Sequence, residues 1–243
     1  MIVSDEYRYV FVQTPMTGCS AIANELVTNY KGKPILSKHA VYSTFLSNAT
    51  EEQKSYFVFS AIRNPLDKVA SNYQKMVNNH NSRFTQPLNA NFVKALFQRR
   101  DRILYRRIQR GYTFDEYLST MKVYDELSSL DHEKFDFILR FENLASDFNK
   151  VLEILEIPRV RSLPVYNSTL EKRHFLDYYK SIESKRVAIK KFGPFLSRSN
   201  YSFPMEWGEW DVKWIDEIKY LFWHQLRILS WRIIRRNIRG HKL

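Results

Sequence analysis

The chain has 243 residues, 44% hydrophobic and 26% charged, a balance that excludes a disordered or fibrous protein and allows one good core. Its 38 Lys and Arg outnumber 26 Asp and Glu, and the net charge of +12 favours an anionic partner without choosing among nucleotide, nucleic acid, glycan and membrane surface. A single cysteine, Cys19, excludes an intramolecular disulfide, and the sequence has neither the layout of a secretory leader nor an apolar run of about 18 residues, so it reads as cytoplasmic.

In chain order, YRYVFVQ (7–13) predicts a strand, and Ala21, Ile22, Leu26 and Val27 then recur at helical spacing. KPILSKH (33–39) fits a short strand or an extended loop. YFVFSAI (56–62) is apolar almost throughout, as expected of a central parallel strand covered on both faces. After it, Asn64 suits a cap, Pro65 the first helical position and Asp67 the positive helix end, with Val69, Ala70, Tyr73, Met76 and Val77 as the inward stripe. Residues 84–123 read as helical and basic, with a fresh start at Thr113. FDFILR (135–140) predicts another buried strand, followed by a helix that buries Leu144, Phe148, Val151, Leu152 and Leu155. Strand, loop and helix thus recur three times, which predicts a parallel α/β sheet with ligands at the strand C-terminal ends.

The first loop, TPMTGCS, has hydroxyls at Thr17 and Ser20, and Gly18 allows close backbone approach to a ligand. With the N–H groups of a helix start, these make an anion site. A plain strand-to-helix turn would read the same way. GxxxxGK[ST] is absent, which argues against an ordinary NTPase. Glu25 stands where a cysteine phosphatase loop would carry arginine. In FSAIRNPLDKVASNY, Arg63 ends the buried strand, and Ser71 lies about 9 Å of helical rise beyond Pro65. A guanidinium and a hydroxyl at that separation suit one phosphate, although Arg63 could equally pair with Asp67.

These blocks resemble the sulfotransferases that use 3′-phosphoadenosine 5′-phosphosulfate (PAPS), the carbohydrate sulfotransferase-like group in particular. VFVQTPMTGCSAI is similar to that family's 5′-phosphosulfate loop, AIRNPLDKVASNY to its 3′-phosphate motif, and KHA (38–40) to the segment before its first substrate helix. FDFILRFENLASDFNKVLEIL, LPVYNSTLEKRHFLDYY and NYSF (200–203) extend the likeness over roughly 7–203. The resemblance implies a three-layer, P-loop-kinase-like sulfotransferase fold over 1–203. It implies that Thr14, Pro15, Thr17, Gly18, Cys19, Ser20 and Ala21 hold the phosphosulfate, and that Arg63 and Ser71 hold the 3′-phosphate. Asn167 and Ser168 are weaker candidates for nucleotide contact. His39 takes the place of the general base, with PAPS as co-substrate, no metal, and a hydroxyl of a saccharide or glycolipid as acceptor. The family's loop lysine falls at Met16. Lys38 is the candidate to supply that cation, and the alternative is a nucleotide-binding relative impaired in turnover. Glu142 reads as a helix charge or loop anchor.

The remaining features of interest lie outside these blocks or carry no site. His80, His132, His174, His224 and His241 have no ligand-like spacing. RRDRILYRRIQR (99–110) could line a cleft for an acidic saccharide, or be a solvated helix face. Residues 204–243 form a C-terminal aromatic and basic helical extension, in which Trp214, Ile218, Leu221, Phe222 and Leu229 share a face. That face suits packing or oligomerisation, with peripheral membrane contact the competing use. A nucleic-acid binder would also accept the charge, but no helix-turn-helix, zinc or RNP pattern supports it.

Overall fold

A computed structural model describes residues 1–90, 92–121, 135–164 and 169–236. In chain order the main elements are β1 (Ile2–Ser4), β2 (Tyr9–Val12), α1 (Cys19–Asn29), β3 (Lys33–Pro34), α2 (Tyr42–Leu46), β4 (Phe57–Ile62) and α3 (Pro65–Val77). There follow α4 (Phe92–Gln109), α5 (Phe114–Thr120), β5 (Phe137–Arg140), α6 (Leu144–Ile154), α7 (Ile182–Arg198) and α8 (Trp214–Arg236). By contact the chain forms two compact units, one of Met1–Asn64, Asp125–Tyr166 and Ile218–Leu243, the other of Pro65–Tyr124 and Asn167–Glu217.

The first unit is built on a five-stranded open sheet of order β3-β1-β2-β4-β5, flanked by helices. Its centre is parallel: Tyr9 pairs with Phe57, and Phe59 with Phe137. Alternation along the strands supplies both faces. Tyr9, Phe11, Phe59, Ala61 and Leu139 face the apolar sides of α1 and α6, where Ile22, Leu26, Phe148, Val151 and Leu152 are buried. Val10, Val12 and Val58 turn the other way, onto Tyr42 and Phe45 of α2. This is the α/β architecture expected from the repeated strand–loop–helix pattern.

The sheet edge departs from that expectation. β1 runs antiparallel to both β2 and β3, so the sheet is mixed. Three residues of strand are too few to show a period, which is why MIVS gives no signal in the sequence. Of KPILSKH only Lys33 and Pro34 pair with β1. One further backbone bond, from the Ile35 N–H to the Met1 carbonyl at 3.2 Å, follows them. Val27 of α1 and Val77 of α3, both expected inside, are exposed.

The second unit is helical. Leu66 and Val69 of α3, Ile108 of α4, Leu118 of α5 and Ile189, Phe192 and Leu196 of α7 share one core. Within it Tyr73 and Tyr179 each meet Phe114 edge-on, at 5.4 and 4.9 Å between ring centroids. The fresh helix start at Thr113 is a capping box: its side chain accepts from Glu116 N, and the Glu116 carboxylate accepts from Thr113 N at 2.7 Å. Pro65 opens α3 as expected, and Asp67 in its first turn is paired with Lys172.

Candidate active site

β2 and β4 are parallel neighbours, so the segments leaving their C-terminal ends emerge on one edge of the sheet. In the loop after β2, the two threonine hydroxyls are spent on backbone carbonyls. Thr14 Oγ1 donates to the Ala61 carbonyl of β4. Thr17 Oγ1 donates to the Thr14 carbonyl at 3.0 Å and lies 3.0 Å from Thr14 Oγ1. Both side chains are fully buried. They brace the loop. The Ala21 N–H donates to the Gly18 carbonyl at 2.9 Å, so Ser20 Oγ and the N–H groups ahead of Ala21 are the donors suited to an anion.

The turn needs Gly18. Its φ is 73°, and a Cβ there would stand 2.5 Å from Leu144 Cδ2. Met16 also adopts a left-handed conformation, φ 64°, an uncommon state for a long side chain. Pro15 is half-buried beside it, and Cys19 and Ala21 are buried in the first turn of α1.

Arg63 follows β4 and is 6% exposed. Its Nη1 donates to the Met16 carbonyl at 3.2 Å, and its guanidinium lies 4.0 Å from the centre of the Phe141 ring. Next to it, the N–H of Asn64 donates to Glu142 Oε1 at 2.8 Å, so Glu142 is a loop anchor. Neither Phe141 nor the Met16 carbonyl can be inferred as an Arg63 partner from sequence spacing. The FEN segment after β5 is brought there only by sheet order.

Lys38 and His39 come to the same loop. Lys38 Nζ donates to Ser20 Oγ at 2.8 Å. His39 Nδ1 lies 2.9 Å from the Gln13 carbonyl. A carbonyl can only accept, so Nδ1 carries the hydrogen, and in the neutral ring Nε2 bears the lone pair. Gln13 acts through its backbone, which leaves no mark in the sequence.

The electrostatics favour an anion. α1 begins without a side-chain cap and without an acidic residue in its first turn. Lys38 thus adds a full positive charge to the end of a helix that already carries partial positive charge, an arrangement that an anion between them stabilises. The donor set of helix N–H groups, ammonium and hydroxyl fits a phosphate or sulfate group. Behind it, Glu25 is 1% exposed and is gripped by Arg161 through Nε to both carboxylate oxygens at 3.1 Å and Nη2 to Oε2 at 2.8 Å. Those hydrogen bonds hold its carboxyl below the usual range.

In the second unit Ser71 lies on α3, fully buried. From the basic run, Arg100 and Arg107 line a shallow pocket with Ile103, Leu104 and Thr120, while Arg102 Nε donates to the Phe84 carbonyl at 3.2 Å. Asn167 and Ser168 lie outside the described residues, as do His132 and His241. Among the described residues, no group of His, Cys, Asp or Glu is placed to hold a metal ion.

Fold and loop together define an α/β protein that presents a cationic cradle at the C-terminal ends of the parallel strands of a mixed sheet. The chain matches the model of the Sulfotransferase family over residues 1–199, and it belongs to that family, whose reaction transfers a sulfuryl group to an acceptor. No curated protein and no solved structure matches it.

Proposed function

We propose that the protein transfers the sulfuryl group of PAPS to a hydroxyl of a saccharide or glycolipid. The observation that carries the reading is the meeting of Lys38, His39 and Arg63 on one loop at a helix start that has no acidic counterweight.

PAPS supplies the activated sulfuryl group. The residues of this chain then have separate tasks. Ser20 Oγ and the N–H groups of the turn ahead of Ala21 hold the phosphosulfate. Lys38 neutralises charge on the sulfonate and the leaving oxygen, the task the resemblance gives to a lysine at the position of Met16. Arg63 is assigned the 3′-phosphate on the resemblance. His39 Nε2 takes the acceptor's proton as its oxygen forms the bond to sulfur and the bond from sulfur to the phosphate oxygen breaks. Positioning and charge stabilisation carry most of the rate.

Met16 also supports a second reading: a nucleotide-binding relative that does not turn over. Release of 3′,5′-adenosine bisphosphate from PAPS, measured against saccharide and glycolipid acceptors, separates the two. Acceptor-dependent release supports transfer. Tight nucleotide binding with no release under any acceptor leaves the binding protein.

A further inference from the structure

α8 has an inverted look. Trp214, Ile218, Leu221, Phe222, Leu226 and Leu229 are between 40 and 73% exposed. At 100° per residue they fall within roughly 140° of arc, a stripe as wide as one that normally faces a core. Tyr220 and Asp216 project from the opposite side and are the buried residues among 214–229. The apolar stripe therefore faces outward among the described residues.

The charges are sorted to match. Asp216 is buried and Glu217 is paired with Arg198, so neither of the two carboxylates of α8 opposes the stripe, while Lys219 stands exposed at its margin. From Trp223 to the end the sequence has six Lys and Arg and no Asp or Glu. A second copy packed in parallel on this stripe would bring two such cationic segments together, which like-charge repulsion disfavours. A surface of anionic headgroups complements both the stripe and the charge. No helix among the described residues is long and apolar enough to cross a bilayer.

We propose that α8 is an interfacial anchor, whose Trp-, Phe- and Leu-bearing stripe lies in the headgroup region of a membrane rich in anionic lipid. The inference stands apart from the sulfuryl-transfer reading. The test is co-sedimentation of the full chain with phosphatidylcholine vesicles with and without phosphatidylserine, for wild type and Leu221→Glu/Phe222→Glu, with molar mass measured by light scattering. Both substituted positions are exposed, and circular dichroism checks that the fold is retained. The expected result is a monomer that binds the phosphatidylserine vesicles about tenfold or more better than the neutral ones, with weakening in high salt and loss in the double variant. Failure to bind anionic vesicles, or binding that the double variant leaves unchanged, overturns the proposal. So does a wild-type dimer that the double variant dissociates, which would make the stripe a contact between copies.

Discussion

Lys38 donates to Ser20 at the start of α1, where Met16 occupies the position of the lysine in the loop that this chain resembles. If Lys38 performs that lysine's task, Lys38→Met lowers acceptor-dependent PAPS turnover by about 10² or more, the cost of removing one transition-state charge partner. Adding Met16→Lys to that variant then restores part of the rate, a rescue that a merely structural Lys38 would not allow. His39 makes a separate prediction. If the proposed base is Nε2, with Nδ1 on the Gln13 carbonyl, His39→Asn lowers kcat by about 10² to 10⁴. An unchanged kcat in the variant would place the base elsewhere. Glu25 and Arg161 bear on stability. Arg161→Met leaves a buried carboxylate without its main partner and costs about 2 kcal/mol, less than a fully buried pair because Arg161 is half in water. The Glu25 carboxyl is held below its ordinary range, so the stability from this pair is complete above that range and falls as pH drops through the lowered value. Acid melts of wild type should show that loss, and those of the variant should not.

The β2–α1 element depends on the left-handed turn at Gly18. A Gly18→Ala side chain meets both an unfavourable φ and Leu144, at a combined cost of about 2 to 3 kcal/mol, and the melting temperature and nucleotide affinity should fall together. Unchanged affinity in a destabilised variant would separate the turn from the site. The elements most legible in the sequence were those with a long apolar run or a strong start signal. YFVFSAI, FDFILR, the Pro65 helix and the Thr113 capping box are of this kind. β1 was hidden because three residues show no period, and β3, at two residues, shows none either. In the site, Lys38, His39, Ser20, Gly18 and Arg63 could be named from residue type and order. The Gln13 carbonyl, the Phe141 ring under Arg63 and the inward turn of Thr14 and Thr17 could not. Each depends on backbone direction or on which strand lies next to which.

For the whole molecule, the net charge of +12 is more than the loop needs. It predicts that association with a nucleotide anion is steered, so the on-rate falls steeply as salt rises while the off-rate changes little. If the cradle at the sheet edge is made for a 3′-phosphorylated nucleotide, calorimetric titration with 3′,5′-adenosine bisphosphate, AMP and ATP on wild type and Arg63→Ala will show it. Micromolar binding of the bisphosphate alone, lost in the variant, is the expected result. No binding of the bisphosphate, or ATP binding as tightly, would refute a cradle of that kind.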